Sequence, residues 1–154
     1  MTEIAFYHLE QSPLGTALPR LLEKVLANGL KAVVKAGSPE QLAALNASLW
    51  TYANDSFLPH GSVKDGFDEA QSQGQPIWLT VGDDNPNQAT VLVLADGVPS
   101  EMVADYQRCL EMFDGNGQIA LDSARSHWQA YKSMGYDLTY WRQGESGGWE
   151  KQAL

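Results

Sequence analysis

Apolar residues recur along this chain with two periods that alternate. Ile4–Leu9 is a short apolar run rich in aromatics, which predicts a first strand. Leu18, Leu21, Leu22, Val25 and Leu26 follow at helical spacing, and Asn28-Gly29 stops that helix. Lys31–Ala36, with Ala-Val-Val at its centre, predicts a second strand. Ser38-Pro39-Glu40-Gln41 then opens a helix, with Ser at the N-cap, Pro first and Gln third. Leu42, Leu45 and Leu49 form its buried stripe, and Trp50 closes it. Asn54–Gln75 is mostly polar, carries Gly61, Gly66 and Gly74, and reads as a long surface connection. Pro76–Val81 and Thr90–Ala95 are two further strands around the turn-rich stretch Gly82-Asp83-Asp84-Asn85-Pro86-Asn87.

The spacing of Val103, Tyr106, Leu110 and Phe113 predicts a helix over Ser100–Phe113, broken by Asp114-Gly115-Asn116-Gly117. A last amphipathic helix runs from Ser123 to about Met134, is stopped by Gly135 and leads into a short aromatic strand ending at Trp141. Its apolar stripe is Leu121, Ala124, Trp128 and Tyr131. Residues 1–143 form the expected domain, and 144–154 read as a flexible tail. Strand and helix in alternation imply a parallel sheet with right-handed crossovers. The expected fold is a single α/β domain, a central, mostly parallel sheet flanked by helices, resembling a nucleotide-binding fold without a phosphate loop.

The missing loop matters because a parallel sheet raises the question of nucleotides at its strand ends. After the first strand there is one glycine, Gly15, and neither glycine-rich phosphate pattern occurs in the chain. Val91–Ala95 followed by Asp96 resembles a Walker B strand with no phosphate loop to serve. His8, His60 and His127 show no metal-ligand spacing, and Asp83-Asp84-Asn85 lacks the rest of a calcium loop. Cys109 reads as buried filler in the middle of the 100–113 helix, and no nucleophile elbow appears. Neither an enzyme active site, a metal nor a cofactor is expected. The formal charge of −9 argues against nucleic acid as a direct partner. No run approaches the length of a membrane span, and the lone cysteine fits a cytoplasmic protein.

What remains is a surface for a peptide. Arg125 and Lys132 lie two helical turns apart beside Trp128, an aromatic plate with a cation on either side. The arrangement Ala-Arg-x-x-Trp-x-x-Tyr-Lys-x-x-Gly-Tyr-x-Leu-x-x-Trp resembles the C-terminal signature of the DNA polymerase III chi subunit family. Leu49-Trp50 followed by Ser56-Phe57-Leu58-Pro59-His60 resembles that family's second block. The resemblance implies a non-catalytic accessory subunit of the bacterial replicative polymerase, binding the C-terminal tail of single-stranded DNA-binding protein. That tail is acidic and ends in an apolar, aromatic residue with a free carboxylate. Arg125 would take the carboxylate, Trp128 and Trp50 would wall the ring pocket, and Lys132 would meet the preceding acids. The family's contact with its psi subunit implies a role for Phe57. This chain departs from the family at Leu121 and Gln129, where others are basic, at Trp128, where others carry Tyr, and at Asp114, an apolar family position expected near the end of the 100–113 helix. Asp114 leaves open another clamp-loader component in place of psi. Two rival readings are a degenerate nucleotide-binding enzyme using Gly15 and Asp96, and an unrelated protein-interaction module on the same fold.

Overall fold

The computed structural model describes residues 2–51, 59–62, 65, 69–145 and 148–152. Within them the chain runs β1 (Glu3–Leu9), α1 (Leu14–Ala27), β2 (Ala32–Lys35), α2 (Pro39–Thr51), β3 (Gly61–Ser62), α3 (Glu69–Gln73), β4 (Ile77–Thr80), β5 (Val91–Ala95), β6 (Arg108–Asp114), α4 (Gln118–Ser133), β7 (Asp137–Gln143) and β8 (Trp149–Lys151). These strands form one sheet in the order β3-β4-β2-β5-β6-β1-β7-β8. Every neighbouring pair is parallel except β7 with β8. The expected mostly parallel sheet flanked by helices is therefore present.

Because side chains alternate across a strand, β1 divides the core in two. Ala5, Tyr7 and Leu9 face the layer made by α1 and α2, together with Leu18, Leu22, Leu42 and Leu49. Ile4 and Phe6 face the other layer, where Ala124 and Tyr131 of α4 pack with Val103, Tyr106 and Phe113. The two helix stops read from sequence are made by left-handed glycines, Gly29 at φ 73° and Gly135 at φ 85°. At each, the residue after the glycine donates its N–H five residues back, Leu30 to Val25 and Tyr136 to Tyr131. Ser38 caps α2 as expected, its Oγ accepting the Gln41 N–H at 3.1 Å while Gln41 Oε1 accepts from Gly37 N at 2.7 Å.

One predicted helix is absent. Residues 100–113 instead form a single 3-10 turn, Val103–Asp105, and strand β6. Strand β6 is buried on both faces, so its apolar residues show no two-residue alternation and match a helical period by coincidence. Leu110 points into one layer and Tyr106 and Phe113 into the other, which a shared helical stripe would not allow. Cys109 is accordingly a buried strand residue, and Asp114 is an exposed strand end. Two segments read as irregular contain structure. Gly61–Ser62 adds edge strand β3, and Glu69–Gln73 is a short helix. Part of the expected tail, Trp149–Lys151, pairs with Trp141–Gln143.

Candidate peptide-binding hollow

Helix α4 starts at Gln118, five residues before the expected Ser123, and crosses the sheet between β6 and β7. All four residues of the predicted stripe reach the core: Ala124 and Tyr131 are buried, Leu121 and Trp128 half-buried against the same layer. Trp128 stands edge-on to Phe6 of β1 at 5.2 Å and to Tyr140 of β7 at 5.9 Å. With its inner edge held in this way, its other surface helps form a hollow of about 300 Å³. Leu121, Ala124, Arg125, Trp128, Gln129 and Tyr140 line it. Arg125 and Gln129 are exposed there, so the hollow combines an aromatic and aliphatic floor with a guanidinium on its flank.

Lys132 is exposed further along the same helix and lies outside the lining. Trp50 does not come to this hollow. It ends α2 on the opposite layer of the sheet, is 54% exposed, and its ring faces His60 at 4.8 Å. Helix-end position places it there: Leu49 turns into the α1–α2 layer, so its neighbour must turn out. Phe57 lies outside the described residues.

The residue that the sequence reading missed is Tyr140. Its signal was the alternation in β7, where Leu138 and Tyr140 face the α4 layer and Trp141 the other. The Tyr140 hydroxyl lies 2.6 Å from His8 Nδ1. Burial raises the Tyr140 pKa, with Arg142 and Arg125 acting against it, so both guanidiniums sense this hydroxyl. Burial likewise lowers the His8 pKa, opposed by Glu10. His8 is fixed from behind: a Cβ on Gly115 would sit 1.8 Å from His8 Nε2. Glu10 in turn pairs with Arg142 and lies 3.5 Å from His8 Nε2.

Beneath α4 the buried Glu111 accepts from His127 Nδ1 at 2.5 Å. Burial raises the Glu111 pKa against the opposing hydrogen bond, and that hydrogen bond raises the pKa of His127. The two residues of the nucleotide reading have structural employment elsewhere. A Cβ on Gly15 would lie 2.7 Å from Ser48 Oγ, so this glycine permits α1 to approach α2. Asp96 Oδ1 accepts the Asp114 N–H at 3.1 Å and Oδ2 accepts from Gln41. The crevice at these strand ends is lined by Glu10, Asp96 and Asp114, a field that repels phosphate.

The sequence matches the model of the family described as DNA polymerase III chi subunit, HolC, over residues 1–139. The chain belongs to the DNA polymerase III chi subunit family. It is 32% identical over 113 residues to "Probable DNA polymerase III subunit chi" of Rickettsia prowazekii (strain Madrid E). That alignment covers 73% of this chain and 66% of the relative, just under two thirds of its length. It is 23% identical over 141 residues to the DNA polymerase III subunit chi of Pseudomonas aeruginosa, covering 90% of this chain and 94% of that one. Membership of the chi family gives the hollow on α4 a context, since both relatives are named as polymerase subunits. Among the described residues no helix of this chi-family chain is long and apolar enough to cross a membrane.

Proposed function

We propose that this chain is a non-catalytic, cytoplasmic accessory subunit of the bacterial replicative polymerase that binds the acidic C-terminal tail of single-stranded DNA-binding protein. The observation that carries the reading is the convergence of Arg125 with Trp128 and Tyr140 around one hollow. A terminal aromatic ring needs an apolar slot, and the carboxylate on the same residue needs a planar cation beside it. Lys132, exposed beyond the hollow, meets the preceding acids. Trp128 and Tyr140 are the walls, and Trp50 is left for a different contact. Linkage to the replicase runs through a second contact that involves Phe57, toward psi or another clamp-loader component.

The test is titration of a fluorescent tail peptide into the protein, in free-acid and C-terminally amidated forms. An interface of this size gives an affinity on the order of micromolar. Arg125→Ala weakens the acid at least about tenfold, a loss of about 1.4 kcal/mol, and amidation reproduces most of that effect on the unmutated chain. Equal binding of acid and amide, or normal binding by Arg125→Ala, removes the site from this hollow.

A further inference from the structure

Tyr140, a wall of the hollow, places its hydroxyl 2.6 Å from His8 Nδ1, and that hydrogen bond has two polarities. In one, Tyr140 donates to a bare Nδ1 and shows only oxygen lone pairs to its surroundings. In the other, Nδ1–H donates to the tyrosine oxygen, and the phenolic hydrogen is free to turn outward. Which one holds is decided at the far side of the imidazole. Nε2 lies 3.5 Å from Glu10 Oε1, so a hydrogen on Nε2 faces a carboxylate, whereas a bare Nε2 would set two lone pairs against each other. Neutral His8 therefore keeps its hydrogen on Nε2, and Tyr140 must donate inward. Only a second proton on the ring reverses the bond.

A carboxylate held by Arg125 makes this reversal matter. Arg125 and Tyr140 line the same hollow. Lone pairs on the phenolic oxygen repel an incoming carboxylate, and an outward O–H grips it. We propose that Tyr140 is a second carboxylate donor in this hollow, with His8 as the positioning residue that sets its polarity, so that capture of a peptide's terminal carboxylate is coupled to proton uptake by His8. The inference rests on the tail-binding reading above. The proton comes from solvent: imidazole becomes imidazolium at Nδ1, the phenolic hydrogen rotates toward the ligand, and no other bond changes.

The groups facing His8 are Glu10 from the end of β1, Tyr140 and Arg142 from β7, and Phe113 and Asp114 from β6, with Gly115 closing the back. Glu10 is paired with Arg142, so the pair adds little net charge, and Arg125 of α4 acts through Tyr140. Burial holds unliganded His8 below its ordinary pKa of 6.5, so it is neutral at pH 7. A bound carboxylate raises it again. Affinity for the acid therefore climbs as pH falls through that interval, until the ligand's own carboxylates protonate near about pH 4.

Calorimetric titration of the full chain at pH 5.5, 6.5 and 7.5, in two buffers of different ionisation heat, measures both quantities with one probe. The probe is an acidic peptide ending in phenylalanine, as acid and as amide. The acid binds with net proton uptake and several-fold more tightly at pH 5.5 than at 7.5; the amide shows neither effect. Tyr140→Phe keeps the ring, weakens the acid at pH 5.5 and flattens the profile. His8→Gln, which retains an N–H at fixed charge, makes acid binding independent of pH. Acid and amide binding alike overturns the tail reading itself. Preference for the acid without proton uptake, or a pH profile unchanged in Tyr140→Phe, overturns this inference and leaves that reading standing. Uptake that survives Tyr140→Phe but disappears in His127→Gln assigns the proton to the Glu111–His127 pair and also overturns it.

Discussion

A carboxylate enclosed under a helix needs a cation or a proton, and Glu111 has access to both through His127. Its side chain is 3% exposed and that of His127 21%, so solvent screens the pair from one side only. His127 gains a partner on folding, and its pKa rises above the ordinary 6.5. Its stabilising contribution is therefore complete below about pH 6.5 and declines as pH increases through the raised value. His127→Ala removes that contribution, at a cost of about 2 kcal/mol at pH 6, below the range for fully enclosed pairs. At pH 9 the loss shrinks, because the imidazole has given up its proton in the parent protein as well. Denaturant unfolding of both proteins at the two pH values measures the difference, and an equal cost at each would rule out the linkage. Arg125 and Trp128 could be read from the sequence because both belong to one helix whose period exposes them. The contact of Tyr140 with His8 could not, since it joins strands brought together only by folding.

Strand β8 shows the same limit for an element. Its residues carry no clear pattern, and three of them form the sole antiparallel pairing of the described sheet. What fixes it is Trp149, whose ring meets Tyr7 edge-on at 4.9 Å on the α1–α2 layer. Trp149→Ala is expected to cost about 1–2 kcal/mol in denaturant unfolding, from the lost edge contact and apolar burial. A tail residue would cost nothing measurable. The helix expected over 100–113 failed for the opposite reason. Strand β6 is buried on both faces, and only the identity of its neighbours, β5 and β1, shows that it is a strand. Helices α1, α2 and α4 were legible because each keeps a polar side and carries its own stop or cap signal.

For the whole molecule, the alternation of strands and helices was sufficient to imply a parallel sheet, and the charge of −9 constrains its partners. A gel shift with single-stranded DNA alone at low salt should show no complex at micromolar protein, because no basic stripe is present to displace counterions. A clear shift would move the nucleic acid from an indirect partner to a direct one. Strand order was beyond the sequence, since the pairing partners of β1 are set by the two layers jointly. Those partners have a consequence for how the chain is made. Strand β1 is made before β6 and β7, and Glu3 is opposed by Arg108 on one side and Asp137 on the other. Its backbone groups therefore wait, unpaired, until those two strands have been made. Such distant closures slow folding. The Tyr140 hollow, whose floor needs β1, α4 and β7 together, becomes competent only once β7 has been made.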